Sequence, residues 1–241
     1  MPRFYFPGPL AVGSFIDLPD QVAHHIHVIR LTAGDTITLF NGEGGEYDAT
    51  LVQADRKHAS AEIKAFSPRE AELHYSITLA QALPEGSKID WIIEKAVELG
   101  AAVIQPLAAR RCVVRLSPER AVKKQEHWQG IIVSAAEQSG RNRLPYLAEL
   151  TDFEAWIAQQ DIHRRILLSP RAEQSLAEWA RHHPPQAVSL LIGPEGGFSE
   201  QEEQAALAHG ALPLSMGPRV LRTETAGLTA IAALNAIWGE M

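Results

Sequence analysis

The chain has a single cysteine, Cys112. That excludes an internal disulfide and a cysteine-rich zinc site. Its expected role is a small apolar filler or a surface thiol. Long apolar runs are also missing. No stretch reaches the ~18 uncharged apolar residues that a membrane span requires, so no membrane is expected among its partners. Met1-Pro-Arg-Phe-Tyr-Phe-Pro-Gly8 lacks the continuous apolar segment and small-residue cleavage site of a signal peptide, and a cytoplasmic location is expected. Several motifs are absent too. Nothing fits G-x-x-x-x-G-K-[ST], Gly193 to Gly197 does not fit G-x-G-x-x-G, and no G-x-S-x-G elbow occurs. His24, His25 and His27 share one short segment, but no cysteine or further cluster completes a metal site. Hydrolases, kinases, dehydrogenases and metal enzymes therefore lack their usual sequence support.

What is present is a globular composition. The 241 residues, 46% apolar, can bury a sizeable core in one large domain or two small ones. A net charge of −7 argues against nucleic acid at first sight. The distribution is uneven, however. Residues 1–72 carry 6 basic and 10 acidic groups, 73–150 carry 10 and 8, and 151–241 carry 6 and 11. Within 110–124, Arg110, Arg111, Arg115, Arg120, Lys123 and Lys124 face only Glu119. Such a stretch is either a solvated helix start or a phosphate-contacting patch.

Residues 1–66 read as a small β-rich module with little helical pattern. Thr36–Asn41 alternates polar and apolar, Gly42–Gly45 turns, Glu46–Ala54 returns, and His58–Phe66 places Ala59, Ala61, Ile63 and Ala65 on one face. Short strands joined by tight turns predict a small barrel. Ser67–Glu72 is polar, contains a proline and marks a domain boundary, with domains expected at 1–70 and 73–241. Beyond it, strands at 75–83, 103–107, 165–168, 188–192 and 211–215 alternate with helices at 87–99, 117–138, from 151, 173–181, from 199 and 224–238. Ser117-Pro118 supplies an N-cap and a first-turn proline, and Thr151–Glu154 and Ser199–Glu202 read as capping boxes. This alternation predicts an α/β fold, a mostly parallel sheet with helices on both faces.

Two stretches near the C-terminus carry the chemistry. Leu191-Ile-Gly-Pro-Glu-Gly-Gly-Phe198 and Met216-Gly-Pro-Arg-Val-Leu-Arg-Thr-Glu-Thr-Ala226 each follow an apolar run and lead into a helical pattern. Each puts a Gly-Pro pair where a strand should end. Glycines there let backbone groups approach a ligand closely. The turns are expected side by side at one edge of a parallel sheet, where open α/β sheets bind ligands. Their apolar flanks, Leu190, Leu191 and Ile192 with Leu214, Met216 and Leu221, suit an adenine ring. The first turn adds Glu195, and the second adds Arg219, Arg222, Thr223 and Glu224.

These two segments resemble the signature segments of the RsmE family of 16S ribosomal RNA (uridine N3) methyltransferases, in the SPOUT superfamily. His24-His-Ile-His-Val-Ile-Arg-Leu31, Leu39-Phe-Asn-Gly42, Glu94-Lys-Ala-Val-Glu-Leu-Gly100 and Glu137-Gln-Ser-Gly-Arg141 extend the resemblance over nearly the whole chain. Met216 stands where the family often has leucine, a like-sized side chain. The resemblance implies a C-terminal trefoil knot, a rare threaded connection, and an N-terminal PUA-like RNA-binding barrel. It also implies S-adenosylmethionine as cofactor, a homodimer, and 16S rRNA, within the 30S subunit, as substrate. On this resemblance the cofactor contacts are Leu168 and Ser169; Leu191, Ile192, Gly193, Pro194, Glu195, Gly196 and Gly197; then Leu214, Ser215, Met216, Gly217, Val220, Leu221, Arg222 and Thr225.

Methylation at N3 also requires a proton to leave, so a base or an anion-stabilising group is needed. Arg222 is the candidate stabiliser, and Glu195 or Glu224 the candidate base. Equally, Glu224 could be a favoured helix-start carboxylate and Arg222 its ion-pair partner or that of Glu195. Arg30, Arg110, Arg111, Arg115, Lys123, Lys124 and Arg141 are the candidate RNA contacts. Two other readings stay open: a non-catalytic RNA-binding protein using the barrel and the basic stretch, and a related methyltransferase acting on another RNA such as tRNA.

Overall fold

The computed structural model describes residues 1–239, so Glu240 and Met241, the end of the expected second domain, lie outside it. In chain order the elements begin with β1 (Arg3–Tyr5), β2 (Phe15–Asp17), α1 (Asp20–Val28), β3 (Thr36–Phe40), β4 (Glu46–Ala54) and β5 (Ala59–Ser67). They continue with β6 (Ile77–Ala82), α2 (Lys88–Glu98), β7 (Val103–Ala108), α3 (Pro118–Ser139), β8 (Tyr146–Leu147), β9 (Thr151–Asp152) and α4 (Phe153–Ile157). The last are β10 (Arg164–Leu168), α5 (Leu176–Arg181), β11 (Val188–Ile192), α6 (Glu200–Ala208), β12 (Leu212–Leu214) and α7 (Thr223–Trp238). Among the described residues no helix is long and apolar enough to cross a membrane.

The chain divides into two units, Met1–Glu72 with Ala136–Leu144, and Leu73–Ala135 with Pro145 onward. In the first, five strands run in the order β1-β3-β4-β5-β2, parallel only between β1 and β3. Ile37, Leu39, Ala49, Leu51, Ala61 and Ile63 fill its core, and α1 adds Val22, Ala23 and Ile26. The module, expected to have little helical pattern, does contain α1, whose outer face carries Asp20, Gln21, His24, His25, His27 and Val28. Ala65 is also exposed, not on the face of Ala59, Ala61 and Ile63. Asp48 pairs with Ala65 and Ala49 with Ile63, so Lys64 is an extra residue that reverses the alternation. Residues 136–144, expected in the second domain, belong to this unit. The Tyr5 N–H donates to Glu137 Oε1 at 2.9 Å, and Arg69 donates to the Gly140 carbonyl at 2.7 Å.

The second unit is a parallel sheet ordered β12-β10-β11-β6-β7-β8, with β9 added on β7. Its central strands β6 and β11 are buried along their length, as a sheet covered on both faces requires. The sequence expectations need two local corrections. The cap of α4 is Asp152, whose Oδ1 accepts from the Glu154 and Ala155 N–H groups; the Thr151 hydroxyl instead donates to the Glu149 carbonyl at 3.0 Å. The next helix starts at Leu176, because Ser175 bridges to Ser215 and caps through the Glu178 N–H. The Ser199 capping box forms with both of its hydrogen bonds. Helix α7 packs on β6 and β11. A Cβ on Gly227 would stand 2.9 Å from Leu79 Cδ1, so only glycine permits that approach.

Candidate functional site

In a parallel sheet every strand ends at the same edge. The turns after β11 and β12 therefore open on one side, but β10 lies between them and they are not neighbours. The end of β10, at Leu168, Ser169 and Pro170, fills the gap. Together these segments line a cavity of about 600 Å³. That volume falls in the range of small-molecule sites.

The first turn is held from several directions. Gly193 allows the chain to fold back so tightly that a Cβ there would meet the Phe198 nitrogen at 2.8 Å. The Gly197 N–H donates to the Pro194 carbonyl at 2.8 Å. Arg111 donates to the carbonyls of Gly196 and Phe198 at 2.8 and 3.2 Å. Fully buried Glu202 accepts from the Ser199 N–H at 2.7 Å and from the Arg110 N–H at 2.7 Å. This ties the loop after β7 to the start of α6. The second turn is tied to the first through Thr223. Its hydroxyl donates to the Gly193 carbonyl at 2.6 Å and accepts from buried Gln81 Nε2 at 2.9 Å.

Charged groups surround this backbone frame. Glu195 Oε1 accepts from Lys88 Nζ at 2.7 Å and from the Glu85 N–H at 3.0 Å. Burial pushes the Glu195 carboxyl up, but the Lys88 ammonium and the N–H groups of Glu195 and Glu85 outweigh it and hold it below its ordinary range. The Glu195 hydrogen bond in turn raises Lys88, with the charges of Glu195, Glu224 and Glu85 adding to it. Arg171 pairs with Glu203. Glu224 lines the cavity, and its Oε2 is buried without a hydrogen-bond partner among the described residues. Arg222 is exposed at the start of α7 and forms no ion pair with Glu195 or Glu224 among the described residues.

Of the expected cofactor contacts, Leu168, Ser169, Ile192, Gly193, Pro194, Glu195, Gly196, Gly197, Met216, Val220, Leu221 and Arg222 line the cavity. Five do not. Leu191 and Leu214 are fully buried strand residues whose side chains fill the core. Ser215 is used up in the bridge to Ser175 and in bonds to the Gln174 carbonyl. Thr225 lies on the exposed face of α7, and Gly217 stands outside the lining. Lys88, Pro170, Arg171 and Glu203 line the cavity although no motif marks them, and Gln81 backs it. Pro170 and Arg171 simply extend the Leu168-Ser169 segment, whereas Lys88, Glu203 and Gln81 reach the site through the packing of the sheet and its helices and not by chain proximity.

The expected RNA contacts are changed more. Arg141 is 3% exposed and its guanidinium is held by Glu72, so it is a buried structural cation and not a phosphate contact. Arg111 faces the cavity. Arg110 pairs with Glu154 at 2.9 Å, Arg115 donates to the Arg110 carbonyl at 2.9 Å, and Lys124 lies 4.0 Å from Asp90. Lys123 is exposed, as is Arg30, whose φ of 61° is left-handed. The basic stretch therefore folds largely against its own unit.

Comparison with known proteins agrees with the residue evidence. An RNA methyltransferase domain model matches residues 71–235, and an RNA methyltransferase PUA domain model matches 18–64. Ribosomal RNA small subunit methyltransferase E of Bacillus subtilis is 34% identical, covering 90% of this chain and 87% of its own. The enzyme of the same name from Neisseria gonorrhoeae, solved with S-adenosylmethionine bound, is 38% identical with a TM-score of 0.92, covering 99% of this chain and 98% of its own. A methyltransferase of Legionella pneumophila, also solved with that cofactor, is 38% identical with a TM-score of 0.91 over 97% of this chain and 96% of its own. Sequence motifs, sheet order and relatives converge: this chain belongs to the ribosomal RNA small subunit methyltransferase E family.

Proposed function

We propose that this protein methylates the N3 atom of a uridine in the RNA of the small ribosomal subunit, using S-adenosylmethionine. The observation that carries the reading is the cavity lined by the first Gly-Pro turn and by the residues flanking the second, two segments that join through Thr223 and Gly193. Bound there, the cofactor would supply an electrophilic methyl group on a sulfonium. The residues present suit it. Leu168, Ile192, Met216 and Leu221 offer apolar surface for an adenine, and the Gly-rich backbone offers donors and acceptors. Holding a uracil in line with the methyl would lower the barrier by up to ~7–11 kcal/mol. Arg222 and Arg219 at the rim would stabilise negative charge developing on the base.

In the same reading, α7 threads the C-terminal knot, the first unit binds RNA, and two chains form the working enzyme. Val220, 80% exposed at the cavity rim, is apolar surface that a second subunit would cover. A ribosomal RNA substrate would put the protein in the cytoplasm. Calorimetry with S-adenosylhomocysteine tests the cofactor, and no binding would overturn the reading. Methyl incorporation into undermethylated small subunits, against tRNA, tests the substrate, with N3-methyluridine expected in the digest.

A further inference from the structure

We propose that Glu224 is the group that receives the uracil N3 proton; this rests on the methyltransferase reading above. Three carboxylates line the cavity: Glu195, Glu203 and Glu224. Two are occupied. Glu203 is paired with Arg171, and Glu195 is bound by Lys88 and by the Glu85 N–H. A carboxylate fixed by an ammonium and an N–H group is a poor proton acceptor, because accepting would break those bonds. Glu195 instead tethers the first turn to the start of α2. Glu224 differs. The residue lines the cavity, and its Oε2 is shielded from solvent with no hydrogen-bond partner among the described residues. A buried acceptor left unpaired is costly, so a proton donor in the cavity would be bound by it.

The surroundings suit the transfer. The charged groups of the lining are Lys88 from α2, Arg111 from the loop after β7, Arg171 after β10, Glu195 from the first turn and Glu203 from α6, with Arg219 and Arg222 before α7. Glu85 lies beside Lys88. Lys88 is hydrogen-bonded to Glu195 and reaches Glu224 only through its charge, so Glu195 still balances it once Glu224 is protonated. The step balances. A bond forms between N3 and the methyl carbon, and the carbon–sulfur bond breaks with its electron pair going to sulfur. The N3 proton passes to the Glu224 carboxylate and, after product leaves, to water.

The test compares wild type, Glu224→Gln and Glu224→Asp by calorimetric S-adenosylhomocysteine affinity and by single-turnover methylation of small subunits across pH. Glu224→Gln should keep cofactor affinity within about twofold and lose ~10²–10³ in rate near neutral pH. Its rate should then climb about tenfold per pH unit, because only already ionised uracil reacts. Glu224→Asp should keep the wild-type pH profile at reduced rate, and it decides the matter if the glutamine variant does not fold. Weakened cofactor binding with an unchanged pH profile would overturn the proposal, making Glu224 a cofactor contact. So would an unchanged rate. If the wild-type protein makes no N3-methyluridine, the methyltransferase reading itself falls.

Discussion

At the scale of single residues, sequence neighbours separate into different jobs. Arg110, Arg111 and Arg115 form one basic cluster on paper. In the folded chain Arg111 braces two carbonyls of the first turn, while Arg110 leans on Glu154. Removing one charge-assisted brace typically costs ~1.5–3 kcal/mol, or about a tenfold or greater loss in binding when the brace shapes the site. Arg111→Ala should therefore weaken S-adenosylhomocysteine binding about tenfold in calorimetry and leave the salt dependence of RNA binding nearly unchanged. The reverse pattern would return Arg111 to the RNA surface. Arg141 carries the same lesson: its residue type suggested phosphate, and its burial against Glu72 assigns it to the fold.

At the scale of elements, the capping residues and apolar periodicity were legible where local chemistry decides the outcome. The Ser199 box and β11 at 188–192 follow the sequence reading. Starts shift where a tertiary contact competes, as when the Ser175 bridge delays α5. The hidden helix α1 was missed because only Val22, Ala23 and Ile26 face the core. The junction of α7 with the first turn is the element contact most open to test. Thr223→Val keeps the shape but removes the donor to Gly193 and the acceptor for Gln81. Taking this partner from the half-buried Gly193 carbonyl and from one N–H of buried Gln81, which keeps its bond to the Ala82 carbonyl, should cost ~1–3 kcal/mol, read as a lower urea midpoint at unchanged slope. An unchanged midpoint would mean the contact contributes nothing net.

At the scale of the whole molecule, the first unit is discontinuous in sequence and is closed by charge. Arg69 holds Glu46 with two bonds, at 3.0 and 2.9 Å, and Arg3 adds a third contact. The Arg69 hydrogen bonds, supported by Arg3 and opposed by burial, lower the Glu46 carboxyl from 4.5 to about 2. In the unfolded chain it titrates at its ordinary value. Stability from this group is thus fully present above that value and lost as pH falls from about 4.5 toward 2. Glu46→Gln should flatten this part of the pH–stability curve in urea titrations followed by circular dichroism. An identical curve would show that other carboxylates set the acid limit.

The sequence by itself determined the alternation of strands and helices, the two Gly-Pro turns and the resemblance that names the family. Those depend on residues close together in the chain, where periodicity, caps and turn chemistry act. Only the tertiary structure decided that β10 separates the two turns, that Lys88 and Gln81 reach them, and which acids are already paired. Strand order brings residues more than a hundred positions apart within hydrogen-bond distance, as Lys88 and Glu195 are. No local pattern encodes that approach, because pairing and burial depend on which surfaces the packed sheet leaves facing one another.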